Sequence, residues 1–222
     1  MENLSQNVKN IREKINRAKS ADQTVFLCAA CKTQTPEVVR KSANLQIDIF
    51  GENRVQELLK NFEANAYLDK PLHFIGHLQT NKVKMIVGKC SVIESVDSVR
   101  LACEINKQAE KLGIVQEILI EVNIGGEESK SGVKVEEFFP LLKEVLTLKN
   151  IKVVGLMTIP PKCENPREYF KKMKMLFEKA KEEKEFMGKY LSMGMSGDFE
   201  IAIEEGANIV RIGTAIYGKR EY

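Results

Sequence analysis

The stretch YLSMGMSGDFEIAIEEGANIVRIGT, residues 190–214, contains two short apolar runs with an amphipathic segment between them. The runs, 190–195 and 209–213, have the length of buried strands, and glycine lies at or near the end of each. The segment 199–205 between them is predicted to be a short helix. A strand, a helix and a second strand in this order form the unit of a parallel α/β sheet.

Six more apolar runs of strand length precede this stretch. They are VFLCAAC (25–31), IDIFG (47–51), HFIGHL (73–78), SVIESV (91–96), EILIEVN (117–123) and VVGLMTI (153–159). Helical spacing of apolar residues predicts helices between them at 55–62, 101–112, 134–148 and 170–180, and a further helix at roughly 4–19.

Capping signals support these helices. Thr35-Pro36 predicts a helix start, Asn165-Pro166-Arg167-Glu168 resembles a capping box, and Gly113 predicts a helix end. Eight strand–helix units indicate a closed (β/α)8 TIM barrel with an extra N-terminal helix. An open doubly wound sheet is the alternative, but it usually has fewer strands, and no G-x-G-x-x-G follows the first run. No linker divides the chain, so residues 1–222 are expected to form a single domain.

Composition narrows the function classes. Hydrophobic residues make up 43% and charged residues 29% of the 222 residues, with a net charge of +3, as in ordinary globular proteins. The lysines are spread along the chain without interleaved aromatics, which disfavours a nucleic-acid partner. No apolar run has the length of a membrane span, and MENLSQNVKN lacks a signal-peptide core, so a cytoplasmic protein without membrane contact is predicted.

The CxxC formed by Cys28 and Cys31 lies within a predicted strand. Residues three apart on a strand point to opposite faces, so these thiols are expected to be separate buried side chains. His73 and His77 form an HxxxH, but on a strand four residues span about 13 Å, which disfavours one shared metal ion.

Side chains at the strand ends are the candidate site, because barrels of this type carry their active site there. Lys32 directly follows the first run, in AACKTQTP. Taken alone, such a lysine is a residue whose stem packs while its amine reaches water. Two glycine-containing turns change this interpretation, since loops after the last two strands of a barrel frequently bind phosphate. These turns supply Ser196, Gly197, Gly213 and Thr214.

A phosphate site and a lone lysine at one barrel mouth suggest pyridoxal 5′-phosphate (PLP), which carries both a phosphate and an aldehyde. A desolvated lysine amine can form a Schiff base with that aldehyde. Arg211 is then expected between the phosphate loop and Lys32, facing the pyridine nitrogen. An arginine there disfavours protonation of that nitrogen and limits carbanion chemistry.

The chain resembles the YggS/PROSC family of PLP homeostasis proteins. The matching stretches, in order, are AACKTQTP, FGENRVQE, HFIGHLQTNK, SKSG, GLMTIPP, SMGMSGDFEIAIEEGANIVRIGTAIYG and the closing REY. The resemblance implies the fold type III barrel of alanine racemase, standing alone.

The resemblance also implies site roles. Lys32 is the Schiff-base lysine and Arg211 faces the pyridine nitrogen. The phosphate is held by Ser196, Gly197, Gly213 and Thr214, and the ring is lined by Asn53 and Met157. Secondary contacts are expected from His77, Lys130 and Ser192. Gln34 departs from the pattern, since many members carry a basic residue there.

The function expected from the resemblance is a carrier or regulator that holds PLP and maintains vitamin B6 and amino-acid balance without turnover. PLP-dependent apo-enzymes are the expected recipients, and a monomer is expected. The alternatives are a PLP-dependent racemase or decarboxylase, and a Schiff-base aldolase without PLP. Racemases of this fold use a tyrosine from a C-terminal domain. The chain ends nine residues after Gly213, and neither Tyr217 nor Tyr222 matches the racemase motif, so the carrier is favoured.

Overall fold

A computed structural model describes residues 2–218 of the chain. The closing Arg220-Glu221-Tyr222 of the family resemblance lies outside the described residues. The described strands are β1 Phe26–Ala30, β2 Ile49–Glu52, β3 Leu72–Phe74, β4 Val92–Val96, β5 Gln116–Asn123, β6 Val133–Lys134, β7 Ile151–Met157, β8 Tyr190–Ser192 and β9 Ile209–Ile212.

Eight of these strands close into a barrel. Their order is β4-β3-β2-β1-β9-β8-β7-β5, and a further pairing between β4 and β5 completes the circle. Within the described residues every pairing is parallel, and the two-residue β6 pairs only with β5. All eight predicted strands and the (β/α)8 barrel are confirmed, and the alternative of an open sheet is wrong.

Helices surround the barrel in the predicted positions, together with two short helices that were not predicted. The helices are α1 Glu2–Ala18, α2 Pro36–Ala43, α3 Val55–Glu63, α4 Val83–Ile86, α5 Val99–Lys111, α6 Phe138–Val145, α7 Arg167–Ala180, α8 Phe199–Glu204 and α9 Thr214–Tyr217. The two that were not predicted are α4 and α9. The segment predicted at 134–148 is shorter as an α-helix because a 3-10 turn occupies 135–137. Pro140 lies in the first turn of α6, where a missing N–H is tolerated. No helix within residues 2–218 is long and apolar enough to cross a membrane.

The predicted N-terminal helix is α1, which packs against α8 and α9. Val8, Ile11 and Ile15 form its buried face. Arg12 Nη2 lies 2.7 Å from Asp48 Oδ2, so an ion pair joins α1 to the segment that leads into β2. The extra helix therefore belongs to the helical layer around the barrel, beside the helices that precede and follow β9.

Two predicted caps differ from the structure. Thr35 occupies the N-cap of α2 and Pro36 is its first residue, but the Thr35 side chain caps no backbone N–H. The capping box at 165–168 is wrong, because Pro166 is the N-cap residue and Asn165 lies one position too early. Asn165 Oδ1 accepts a 3.1 Å bond from the Arg167 N–H instead. Gly113 follows α5 with φ +66°, as the helix-end signal predicts.

The core has an inner part within the barrel and an outer part between sheet and helices. Cys28 belongs to a small inner cluster with Ile49 and Ile209, whereas Cys31 belongs to the large helix-side cluster. Both thiols are free and buried. The prediction that the CxxC cysteines face opposite sides of β1 is confirmed.

Candidate functional site

A cavity of about 250 Å³ opens at the C-terminal ends of the barrel strands. Its lining residues are Ala30, Lys32, Asn53, Ile75, Ile159, Met195, Ser196, Gly197, Arg211, Gly213 and Thr214. Seven of the eight principal site residues predicted from the sequence therefore line one cavity, and Met157 does not.

The alternation of β1 places Lys32 at this cavity. Cys28 lies in the inner cluster and Ala30 lines the cavity, so the side chain two residues further along also faces the barrel mouth. Lys32 is half-buried. The chain then turns sharply at Thr33, which adopts a positive φ of 69°. A β-branched residue rarely takes this conformation, and such strain concentrates at functional sites.

A bond from α3 holds this strained turn. The Thr33 N–H donates to Glu57 Oε2 at 3.3 Å. Glu57 lies in the first turn of α3, and Arg54 Nη1 lies 3.5 Å from its other carboxylate oxygen. The turn that carries Lys32 is thus tied to the segment after β2 that carries Asn53.

The Arg211 side chain extends from β9, lines the floor of the cavity and is only 4% exposed. Its Nη1 donates to Ser192 Oγ at 2.7 Å, and its Nη2 donates to the Thr158 carbonyl at 2.9 Å. These two acceptors belong to β8 and to the residue after β7. They hold the guanidinium in one position at the floor of the cavity.

Beneath Arg211, buried polar side chains continue across the barrel. Ser192 Oγ donates to Glu94 Oε2 at 2.6 Å, and His73 Nδ1 lies 2.6 Å from Glu94 Oε1. Burial disfavours the charged form of Glu94. The bond to His73 and the charge of Arg211 outweigh this effect and lower the pKa of Glu94 below its ordinary value. Glu94 is thus a buried anion linked to a buried cation through one hydroxyl.

The opposite wall is made by the loops after β8 and β9. Ser196 Oγ accepts from the Ala215 N–H at 3.3 Å, which brings the two loops together. Asp198 Oδ1 accepts from the Met195 N–H at 2.6 Å and closes the first loop on itself. A Cβ added at Gly197 would meet no atom within 4 Å, so the backbone there is open to a ligand. Hydroxyls and exposed backbone in this arrangement suit an anion such as phosphate.

Asn53 presents an unused acceptor at the cavity. Its Oδ1 is buried and has no hydrogen-bond partner among the described residues. Gly76 packs so closely against it that an added Cβ would overlap the Asn53 carbonyl oxygen. Buried polar atoms without partners are uncommon, so this oxygen on a cavity-lining residue is a candidate acceptor for a ligand donor.

The remaining predicted residues lie elsewhere. Met157 is buried in an inner cluster with Val92, Leu119 and Val154 and does not line the cavity. His77 is exposed at the rim, 3.4 Å from Ser131 Oγ, and lines a neighbouring cavity of about 180 Å³ that shares Asn53.

Lys130 and Gln34 also lie outside the cavity lining. Lys130 Nζ donates to the Pro160 carbonyl at 2.9 Å. Gln34 lines a separate cavity between α1, α2 and α9. The pair of histidines is split, because His73 is buried inside the barrel. Within residues 2–218 there is no group of three side chains that could hold a metal ion.

Sequence reasoning missed the apolar walls Ile75 and Ile159 and the buried acid Glu94. The two isoleucines carry no signal beyond their position at strand ends. Glu94 could have been found, because a carboxylate inside the apolar run SVIESV requires a buried partner, and Arg211 in IVRIG is a cation in the same situation.

The closed barrel and its cavity place the chain in the class of (β/α)8 barrel proteins with a binding site at the barrel mouth. Comparison with known sequences agrees with this class. The chain belongs to the family described as alanine racemase, N-terminal domain, whose sequence model matches residues 1–221. Within that family, the predicted resemblance is confirmed by a relative from Aquifex aeolicus (strain VF5) called pyridoxal phosphate homeostasis protein. The two are 50% identical over 224 residues, which cover 100% of this chain and 98% of the relative.

Solved structures show the same barrel. PipY of Synechococcus elongatus PCC7942, with PLP bound, is 26% identical with a TM-score of 0.86, covering 97% of this chain and 100% of PipY. Alanine racemase of Clostridium difficile 630 is 18% identical with a TM-score of 0.77. That match covers 98% of this chain but 60% of the racemase, and it supports the fold alone.

Proposed function

We propose that this chain binds PLP in the cavity at the barrel mouth and holds it covalently through the Lys32 amine. One observation carries the proposal: Lys32, Arg211 and the two glycine-containing loops line the same cavity. The PLP-bound state of PipY and the name of the Aquifex relative support it.

The donor set fits each part of PLP. Ser196, Gly197, Gly213 and Thr214 offer hydroxyls and open backbone for the phosphate. Asn53 Oδ1, which is buried without a partner, can accept a hydrogen bond from the ring hydroxyl. Met157 does not line the cavity, so its predicted contact with the ring has no support in this geometry.

Arg211 is proposed to face the ring nitrogen. Its guanidinium is a planar cation that only donates hydrogen bonds. A fixed cation at that position donates a hydrogen bond and disfavours a second positive charge on the ring. When bound, PLP supplies an aldehyde for amines and a ring that accepts electrons. Arg211 weakens the second property while Lys32 uses the first.

We further propose that the protein is a carrier or regulator of PLP without catalytic turnover. Among the described residues that line the cavity, Lys32 is the only side chain suited to proton transfer. Tyr217 cannot serve as a second base there, because its hydroxyl lies 3.1 Å from Ser42 Oγ in the helix-side core. The single domain, the monomeric state, the cytoplasmic location and PLP-dependent apo-enzymes as recipients stay predictions of the sequence.

The proposal is tested by titrating purified protein with PLP and recording its visible absorption. Wild type should develop the band of covalently bound PLP, and Lys32→Ala should not. Lys134→Ala, which removes an exposed lysine on β6, is the control and should match wild type. A wild type that binds no PLP would refute the proposal.

Turnover is tested separately. Alanine and other amino acids are incubated with the PLP-loaded protein, and loss of optical activity and release of carbon dioxide are followed. We expect neither. Racemisation or decarboxylation that disappears in Lys32→Ala would instead establish the enzymatic alternative.

A further inference from the structure

Three buried side chains form a directed series of hydrogen bonds that ends at the cavity. They come from three strands: Glu94 from β4, Ser192 from β8 and Arg211 from β9. The bonds are 2.6 Å from Ser192 to Glu94 and 2.7 Å from Arg211 to Ser192. Glu94 and Ser192 are 0% exposed, so water does not compete for these bonds.

The chemistry of the hydroxyl sets the direction of the series. A serine hydroxyl has one proton and two acceptor lone pairs. Glu94 is an anion and can only accept, so it takes the Ser192 proton. Ser192 is then restricted to accepting on its other side, where the only donor that bonds it within residues 2–218 is Arg211 Nη1. An anion held on one side thus orients a cation on the other.

His73 holds the far end of the series. Its Nδ1 lies 2.6 Å from Glu94 Oε1, and the imidazole is 2% exposed. Both carboxylate oxygens of Glu94 are therefore engaged, one by His73 and one by Ser192. The carboxylate cannot rotate without breaking a short bond.

We propose that Glu94 and Ser192 are positioning residues that hold the Arg211 guanidinium in place for the ligand of the cavity, with His73 fixing Glu94. This inference rests on the proposed function, since PLP is the ligand that Arg211 is expected to face. The Thr158 carbonyl also bonds Arg211. Loss of the series should therefore weaken PLP binding without abolishing it.

Two matched pairs of variants test the inference. Ser192→Ala removes the hydroxyl that joins Glu94 to Arg211. Its control is Ser95→Ala, because Ser95 Oγ is also buried but has no partner among the described residues. Glu94→Gln removes the anion, and Glu121→Gln is its control. Glu121 is a buried carboxyl of β5 that makes no hydrogen bond to Arg211.

The PLP dissociation constant is measured for each variant at pH 8. Ser192→Ala and Glu94→Gln should weaken PLP by about tenfold, the usual cost of losing a bond to a charged group. Ser95→Ala and Glu121→Gln should stay within about twofold of wild type. Equal losses in Glu94→Gln and Glu121→Gln would mean that only the net charge in the barrel matters, and would overturn the inference.

A double-mutant cycle separates positioning from general loss of structure. In the Arg211→Gln background, Ser192→Ala should change the PLP dissociation constant by less than about twofold, because the group it positions is gone. Ser192→Thr keeps the hydroxyl and should restore most of the affinity. If Ser192→Ala weakens PLP equally in both backgrounds, the inference is wrong.

These measurements also keep the two proposals apart. A wild type that fails to bind PLP refutes the proposed function. A wild type that binds PLP, with Ser192→Ala and Glu94→Gln binding equally well, refutes only the positioning role. Should Glu94→Gln not fold, the serine pair and the cycle decide the question.

Discussion

The last residue of β2, Glu52, is a buried carboxyl whose neutralisation should stabilise the barrel. It is 0% exposed and lies on the helix side of the strand, directly before the cavity residue Asn53. Its Oε1 accepts from Asn61 Nδ2 at 2.7 Å and from the Tyr67 hydroxyl at 2.8 Å. Its Oε2 and Asn61 Oδ1 are both buried without partners among the described residues.

Burial raises the pKa of Glu52 from its ordinary value of 4.5 to about 7, although the bonds from Asn61 and Tyr67 act in the opposite direction. The folded state therefore binds the proton more tightly than the unfolded chain. The stabilisation that comes from this tighter proton binding by Glu52 is complete below pH 4.5 and is lost as pH rises through 7. Since each pKa unit corresponds to about 1.4 kcal/mol, ionised Glu52 costs about 3 kcal/mol of folding free energy.

Glu52→Gln removes this cost, because the amide stays neutral at every pH. The carboxamide oxygen can keep the bonds from Asn61 and Tyr67. Its NH2 group replaces Oε2, a buried carboxylate oxygen that has no partner among the described residues. We expect the variant to be more stable than wild type by about 3 kcal/mol at pH 8.5, and nearly equal to it at pH 4.5.

The assay is urea denaturation followed by circular dichroism at several pH values between these limits. Glu63→Gln, an exposed carboxyl at the end of α3, is the control and should leave the pH dependence unchanged. A Glu52→Gln variant that is less stable than wild type at pH 8.5 would show that Glu52 is stabilising as an anion, and the reasoning from burial would be refuted.

Substitutions at three further positions test a close backbone contact, the N-terminal helix and a helix end. Gly76→Ala should lower the free energy of unfolding by about 1–3 kcal/mol and weaken PLP binding, because the new Cβ overlaps the Asn53 carbonyl. An unchanged midpoint of urea denaturation would contradict this. Arg12→Ala removes the ion pair with Asp48 and should cost about 1 kcal/mol in urea denaturation while leaving the PLP affinity as it is. Gly113→Ala meets no atom within 4 Å, so its cost of about 1 kcal/mol should come only from the positive φ, and Gly113→Asn should recover part of it.

The barrel could be predicted because both faces of its strands are buried. Such strands read as nearly continuous apolar runs, and glycine and polar clusters separate them. Helix ends were harder to place. The capping box predicted at 165–168 was wrong because Pro166, and not Asn165, is the N-cap residue of α7.

The site residues at strand ends could also be predicted, because the C-terminal ends of parallel strands meet at one mouth. Met157 faces the inside of the barrel, as a ring contact requires, but it does not line the cavity. The pairing of β5 with β7 shifts register between Ile118 and Leu119, and Val154 and Met157 both join the inner cluster although they are three apart. An irregularity of this kind changes which side chains face inward, and no sequence pattern marks it.

The buried series behind Arg211 depends on distances across the barrel. Glu94, Ser192 and His73 lie on different strands far apart in sequence. The sequence shows that each is a polar residue within an apolar run. The sequence does not show that the Ser192 hydroxyl joins Glu94 to Arg211. That contact depends on how far β4, β8 and β9 are shifted relative to one another along the barrel axis.

The most direct test of the central claim is the site of covalent attachment. Protein loaded with PLP is reduced with borohydride and digested, and the peptides are mapped by mass spectrometry. A pyridoxyl group on Lys32, absent from Lys32→Ala, is the predicted result. Label on another lysine, or no label in a protein that retains PLP, would contradict the account.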